Sequence, residues 1–198
     1  MEEHRDDLAS KTGMWLFLFT EMLLFAGLFV VYSVYRFKHP EAFHLAAEEL
    51  NVFIGTVNTI ILLTSSMTIA MSITAMQKGS TKLSLILLTV TVVLGLAFLV
   101  NKYFEWNTKI HHHIYPGSEI MASWGQGDIL FFGLYYFMTG LHAFHIIIGL
   151  TFIGFVMVYI RKGRITPDRY VLLENSGLYW HLVDMIWIFL FPLFYLVT

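Results

Sequence analysis

His181 and Asp184 stand three residues apart inside an apolar run that continues to the C-terminus. An ionisable side chain in a bilayer costs about 2.5–3.5 kcal/mol on insertion scales, so such residues are rare and mostly functional. At i, i+3 the two lie on one helical face and can share a proton or a partner. A structural role is the other reading: a histidine–acid network can hold two helices in register without moving a proton. His142 and His145 repeat the spacing in Thr139-Gly140-Leu141-His142-Ala143-Phe144-His145. Two imidazoles on one face could ligate a metal, but a site needs three or four ligands. The expected state is a buried pair bonded to acids or carbonyls on other helices. Gly140, Ala143 and Gly149 should let a neighbouring helix approach closely.

Glu21 lies about seven residues into the first apolar run, roughly 10 Å below the interface at 1.5 Å per residue. Burial favours the neutral acid over the carboxylate. Glu21 is therefore either a neutral acid bonded to a neighbouring helix or a proton relay and reactive carboxyl. Glu105 sits near the end of another apolar run beside Lys102, as an interfacial carboxylate or a local pair. Lys102 is placed to snorkel outward. Asn58, Thr59, Thr64, Ser65 and Ser66 are expected to bond across helices at about 0.6 kcal/mol each. His111, His112 and His113 resemble a metal tract, but three consecutive histidines cannot face one ion from a regular helix. They are assigned to a connecting loop, and the acidic N-terminus to a solvated tail.

These residues must be positioned by membrane helices. The 198-residue chain is 57% hydrophobic and 13% charged, against about 25% charged in soluble domains. Its mean hydropathy is +0.67. A hydrocarbon core about 30 Å thick takes about 20 helical residues. The apolar runs predict five spans, at 14–36, 51–76, 83–106, 129–160 and 171–197. The expected fold is all-α, a polytopic bundle of five transmembrane helices in one domain over residues 1–198. Short second and fourth connections make spans two and three, and four and five, antiparallel neighbours. With the N-terminus inside, the inner segments hold Arg5, Lys11, Lys78, Lys82, Arg161, Lys162, Arg164 and Arg169. The outer segments hold only Arg36, Lys38 and Lys109, so the cation bias favours a cytoplasmic N-terminus and an external C-terminus. Trp15, Tyr35, Trp106, Tyr159 and Tyr195 fit an interfacial aromatic belt. No cleavable signal peptide is expected, because the N-terminal residues are charged and more acidic than basic.

Several chemistries are excluded. The net charge of −2 argues against nucleic acid. There is no cysteine, hence no disulfide, thiolate metal site or c-type haem attachment. Only His142, His145 and His181 fall within spans, too few imidazoles for a haem–copper centre. A di-iron membrane oxidase would need paired Glu-x-x-His motifs, and no span carries one. No redox cofactor or metal is expected on this chain.

Five blocks together resemble subunit III of the haem–copper respiratory oxidases. They are Gly13-Met14-Trp15-Leu16-Phe17-Leu18 through Glu21; Val57-Asn58-Thr59 through Thr64-Ser65-Ser66; Phe104-Glu105-Trp106; Thr139 through His145 with Gly149; and Glu174-Asn175-Ser176-Gly177-Leu178-Tyr179-Trp180-His181-Leu182-Val183-Asp184 through Trp187. They occur in family order from residue 13 to the C-terminus. The resemblance implies a redox-inactive membrane subunit of a cytochrome c or quinol oxidase. Such a subunit packs on catalytic subunit I, supports proton uptake and protects the enzyme during turnover. Haem and copper would lie in partner subunits, electron-donor specificity would reside elsewhere, and the site would be a bacterial plasma membrane. Glu21 matches the family's carbodiimide-reactive carboxyl. His142, His145, His181, Asp184 and Glu105 match polar positions within the bundle. Longer family members have seven spans with a phospholipid-filled cleft; this chain resembles the short form that begins at the third, so one cleft wall is missing. The segment from Lys109 to Gly117 departs from the family pattern. Two other classes fit parts of the sequence: a free-standing proton or small-solute transporter, and an accessory protein of nitric oxide reduction. A transporter would be expected to show internal repeats and broken spans, which this sequence lacks.

Overall fold

A computed structural model describes residues 2–118, 121 and 124–196, with side chains from residue 7 onward. Residue 197, the expected end of the last span, lies outside them. Six helices follow in order: α1 Glu2–Lys38, α2 Pro40–Glu48, α3 Val52–Gln77, α4 Thr81–His111, α5 Gln126–Arg161 and α6 Val171–Tyr195. Five of them are long and apolar enough to cross a membrane. No β-strand occurs among the described residues, as hydrocarbon requires of an open chain whose backbone groups must pair internally.

Three boundaries differ from the sequence expectation. α1 begins at Glu2, so the acidic segment read as a solvated tail is helical in backbone. At about 1.5 Å per residue its 37 residues exceed a bilayer core of about 30 Å. The protruding end is fastened to α6: Lys11 Nζ meets Glu174 Oε2 at 2.7 Å, and Asn175 Nδ2 donates to Ser10 Oγ at 3.0 Å. Next, α4 continues to His111, with His112 as its C-cap and His113 at φ 57°. The histidine tract is thus a helix terminus rather than a free loop. Finally, the connection between the first two expected spans contains the nine-residue helix α2. Proline suits its first turn, where the missing N–H has no partner in any case. α2 buries Phe43, Ala46 and Ala47.

Helix α6 is the centre of the bundle and packs on α1, α2, α3 and α5. In its most apolar 18 residues 56% are buried, against 11% for α1. α3 pairs with α4 across a tight turn at Gly79, whose φ of 77° suits a residue without Cβ. Hydroxyls and amides on α3 join it to its neighbours. Trp180 Nε1 donates to Ser65 Oγ and Trp187 Nε1 to Thr59 Oγ1, each at 3.0 Å. Asn101 Nδ2 donates to Asn58 Oδ1 at 2.9 Å, and Ser72 meets Ser84 at 2.9 Å. Thr64 instead bonds its own helix, to the Ile60 carbonyl. The expected glycine contacts serve indoles more than backbones. A Cβ on Gly149 would lie 2.9 Å from Trp180, one on Gly95 2.8 Å from the same ring, and one on Gly140 3.2 Å from Trp106. Gly95 on α4 and Gly149 on α5 together leave room for the one large side chain of Trp180 on α6.

Candidate functional site

The expected site residues other than His142 fall into three clusters on the faces where α6 and α5 meet the other helices. The first joins α1 to α5. Glu21 Oε2 lies 2.9 Å from His145 Nε2. His145 Nδ1 lies 2.7 Å from the Leu141 carbonyl one turn back. A carbonyl oxygen only accepts, so Nδ1 must carry the ring hydrogen. Nε2 of a neutral ring is then an acceptor, and the contact with Glu21 requires one proton between the two atoms. That proton is written either on the acid or on the imidazolium; the pair holds one in both forms. Phe25 packs edge-on against the imidazole at 5.4 Å, and Tyr179 donates to the His145 carbonyl at 3.2 Å. The Glu21 side chain is 17% exposed on this chain and the His145 side chain 8%.

The second cluster joins α6 to α3. His181 Nδ1 and Ser66 Oγ are 2.6 Å apart. Asp184 is buried, and neither carboxyl oxygen has a hydrogen-bond partner among the described residues. Ser66 thus bonds His181 alone, and the expected sharing of a partner by His181 and Asp184 does not occur among the described residues. His181 also forms part of the floor of an apolar groove of about 260 Å³ between α1 and α6, beside Trp15, Leu18, Phe19 and Met22.

The third cluster joins α4, α5 and α6. Lys102 Nζ donates to Glu105 Oε2 at 3.0 Å, to Tyr135 Oη at 3.0 Å and to Tyr195 Oη at 2.6 Å. Tyr135 and Tyr195 both donate to Glu105 Oε1, at 2.7 and 2.6 Å. All three ammonium hydrogens are used, and each phenol accepts once and donates once, so the group is closed and neutral overall. The Lys102 and Glu105 side chains are each 4% exposed. The expected local pair forms, and both side chains are enclosed by the helices rather than open at the bundle's surface. Lys102 does not snorkel, because α4 runs nine residues beyond it and two phenols supply acceptors inside. Tyr195 is buried too and does not belong to an aromatic belt. Trp15, by contrast, is 62% exposed and free to face lipid.

His142 parts from His145 despite the i, i+3 spacing. It is fully buried between Phe98, at 5.6 Å, and Trp187, at 5.3 Å, and neither ring nitrogen has a partner among the described residues. The histidine pair is thus half as expected: His145 bonds an acid and a carbonyl, His142 neither. No group of three His, Asp or Glu able to hold a metal occurs among the described residues. The residues that sequence reasoning missed are Lys102, Tyr135, Tyr195 and Ser66 in their site roles. A lysine inside an uninterrupted apolar helix was the one available signal.

The helices and clusters define a class: a polytopic bundle whose interior carries paired acids, bases and phenols between spans. The family profile of cytochrome c oxidase subunit III matches residues 6–198, and the chain belongs to that family. It is 35% identical over 188 residues to cytochrome c oxidase subunit 3 of Alkalihalophilus pseudofirmus, covering 93% of this chain and 85% of that one. It is 30% identical over 186 residues to quinol oxidase subunit 3 of Bacillus subtilis, covering 93% and 85%. A third relative, the haem–copper oxidase subunit I+III of Aeropyrum pernix, is 30% identical over 196 residues, covering 94% of this chain and 22% of that longer protein.

Proposed function

We propose that this chain acts as the non-catalytic subunit III of a proton-pumping haem–copper terminal oxidase. In this role residues 1–198 form one membrane domain that packs on catalytic subunit I, supports proton uptake and sustains turnover. Family membership across residues 6–198 carries the reading. The Aeropyrum pernix relative, a subunit I+III chain, supports the partnership, since a tether favours two modules that can engage together. Haem and copper would be held by the partner subunits. The excess of lysine and arginine on one set of loops supports a cytoplasmic N-terminus, and the bacterial relatives support a plasma-membrane location.

The Glu21–His145 pair suits a supporting role in proton handling, because it keeps one proton at a fixed place between α1 and α5. No redox step follows from these residues. The test is turnover of the assembled oxidase carrying Glu21→Gln. An amide can replace a neutral acid in most hydrogen bonds, so the complex should assemble and reduce oxygen with modest loss. Abolished turnover in a fully assembled complex would instead place Glu21 on an obligatory proton path.

A further inference from the structure

The α3–α4 hairpin carries a feature that the oxidase role does not use. Between Glu49 and Glu105 the sequence contains no acidic residue. The turn of the hairpin nevertheless holds Lys78 and Lys82, both exposed. Neither is in an ion pair among the described residues. From Lys78 a groove of about 380 Å³ runs along the outer surface between the two helices. Its walls are Met67, Met71 and Thr74 on α3 and Leu83 and Leu87 on α4. Met67 and Met71 are 62% and 45% exposed, and Leu83 49%. Thr74 adds no free donor, because its hydroxyl is spent on the Ala70 carbonyl.

We propose that this groove is a binding site for one anionic phospholipid of the leaflet that faces the α3–α4 turn. The occupant follows from charge and length. Lys78 lines the groove and Lys82 directly precedes its wall residue Leu83. No acidic residue lies near the turn in sequence, the nearest being Glu49 and Glu105, and such unpaired ammonium groups attract anionic headgroups at a membrane surface. Met67 and Lys78 are eleven residues apart, about 16 Å along a helix, close to half of a hydrocarbon core about 30 Å thick. That is the reach of a single acyl chain. Methionine side chains adapt their shape to an irregular chain, and apart from Thr74 and Lys78 the rest of the wall is aliphatic, from Ala70, Ala75, Leu83 and Leu87. The headgroup phosphate is held by Lys78 and Lys82, and the chain lies along Met71 and Met67.

The test uses the purified oxidase complex in nanodiscs with trace phosphatidylglycerol or phosphatidylcholine bearing a photoreactive diazirine on the acyl chain. Cross-linked peptides are mapped by mass spectrometry. Phosphatidylglycerol should label the Met67–Met71 and Leu83–Leu87 segments at least fivefold more than phosphatidylcholine. Lys78→Gln with Lys82→Gln should remove that preference, and Ala70→Trp, which fills the groove with the charges intact, should remove the label itself. Equal labelling by both lipids in the unaltered complex would overturn the proposal, since ordinary bilayer contact would explain it. So would absence of label from the groove, which would mean that another subunit covers it.

Discussion

At the residue scale, the acids of this chain differ chiefly in what supplies their hydrogen. Glu105 is met by one ammonium and two phenols, a donor set suited to a carboxylate. Glu174 is met by Lys11 at 2.7 Å. Glu21 faces only an imidazole whose other nitrogen is committed to a carbonyl, so a proton must lie between them. Carbodiimides react with protonated acids. Carbodiimide treatment followed by peptide mapping should therefore label Glu21 in preference to Glu105 and Glu174; preferential labelling of Glu105 would contradict this proton assignment. The Lys102–Glu105 pair gives a second prediction. Removing one partner of a buried ion pair costs about 3–5 kcal/mol, whereas removing both is often nearly neutral. Lys102→Met or Glu105→Gln alone should sharply lower the thermal stability of the detergent-solubilised complex. The double variant should recover much of the loss, and additive losses would show that the two do not act as a pair.

At the element scale, the path of the helices was largely legible and their ends were not. Five apolar runs of sufficient length could only be spans, and the short Gln77–Thr81 connection forced an antiparallel pair. The apolar run gave a span ending at residue 106, whereas the helix persists to His111, because a helix continues past the point where its sequence stops being apolar. Reading Lys102 as a side chain that reaches outward hid Tyr135 and Tyr195 as its partners. α2 was missed because nine residues give little periodicity, although Pro40 at its start and the spacing of Phe43, Ala46 and Ala47 were present. Contacts such as Ser66 with His181, 115 residues apart, are fixed by helix packing and leave no local trace. Packing itself yields a prediction. Trp180 fills the space left by Gly95 and Gly149. Overpacking costs about 1–3 kcal/mol, so Gly149→Ala should lower thermal stability by that order. Gly154→Ala is the control, because nothing lies within 4 Å of a Cβ there. Equal effects at the two positions would contradict the wedge.

At the scale of the whole molecule, α6 is enclosed by its neighbours, while α1 stands at the edge with most of its apolar surface unpacked. Leu16, Leu23 and Phe37 on α1 are 64%, 57% and 88% exposed. Such a surface belongs in lipid or against other membrane subunits. The orientation proposed from the lysine and arginine counts has its own check. A topology reporter after Thr198 should read the outer side and one at Lys78–Lys82 the inner side; the same side for both would break the five-span topology. The central claim is that this chain works as a redox-inactive part of a haem–copper oxidase. Its most direct test is affinity purification of the tagged chain from its native membranes under mild detergent, with a reduced-minus-oxidised spectrum and an inventory of the copurifying subunits. The account predicts a stoichiometric haem-bearing subunit I and oxygen-reducing activity in the same fraction. Recovery of the intact, folded chain without any haem-bearing partner would contradict it.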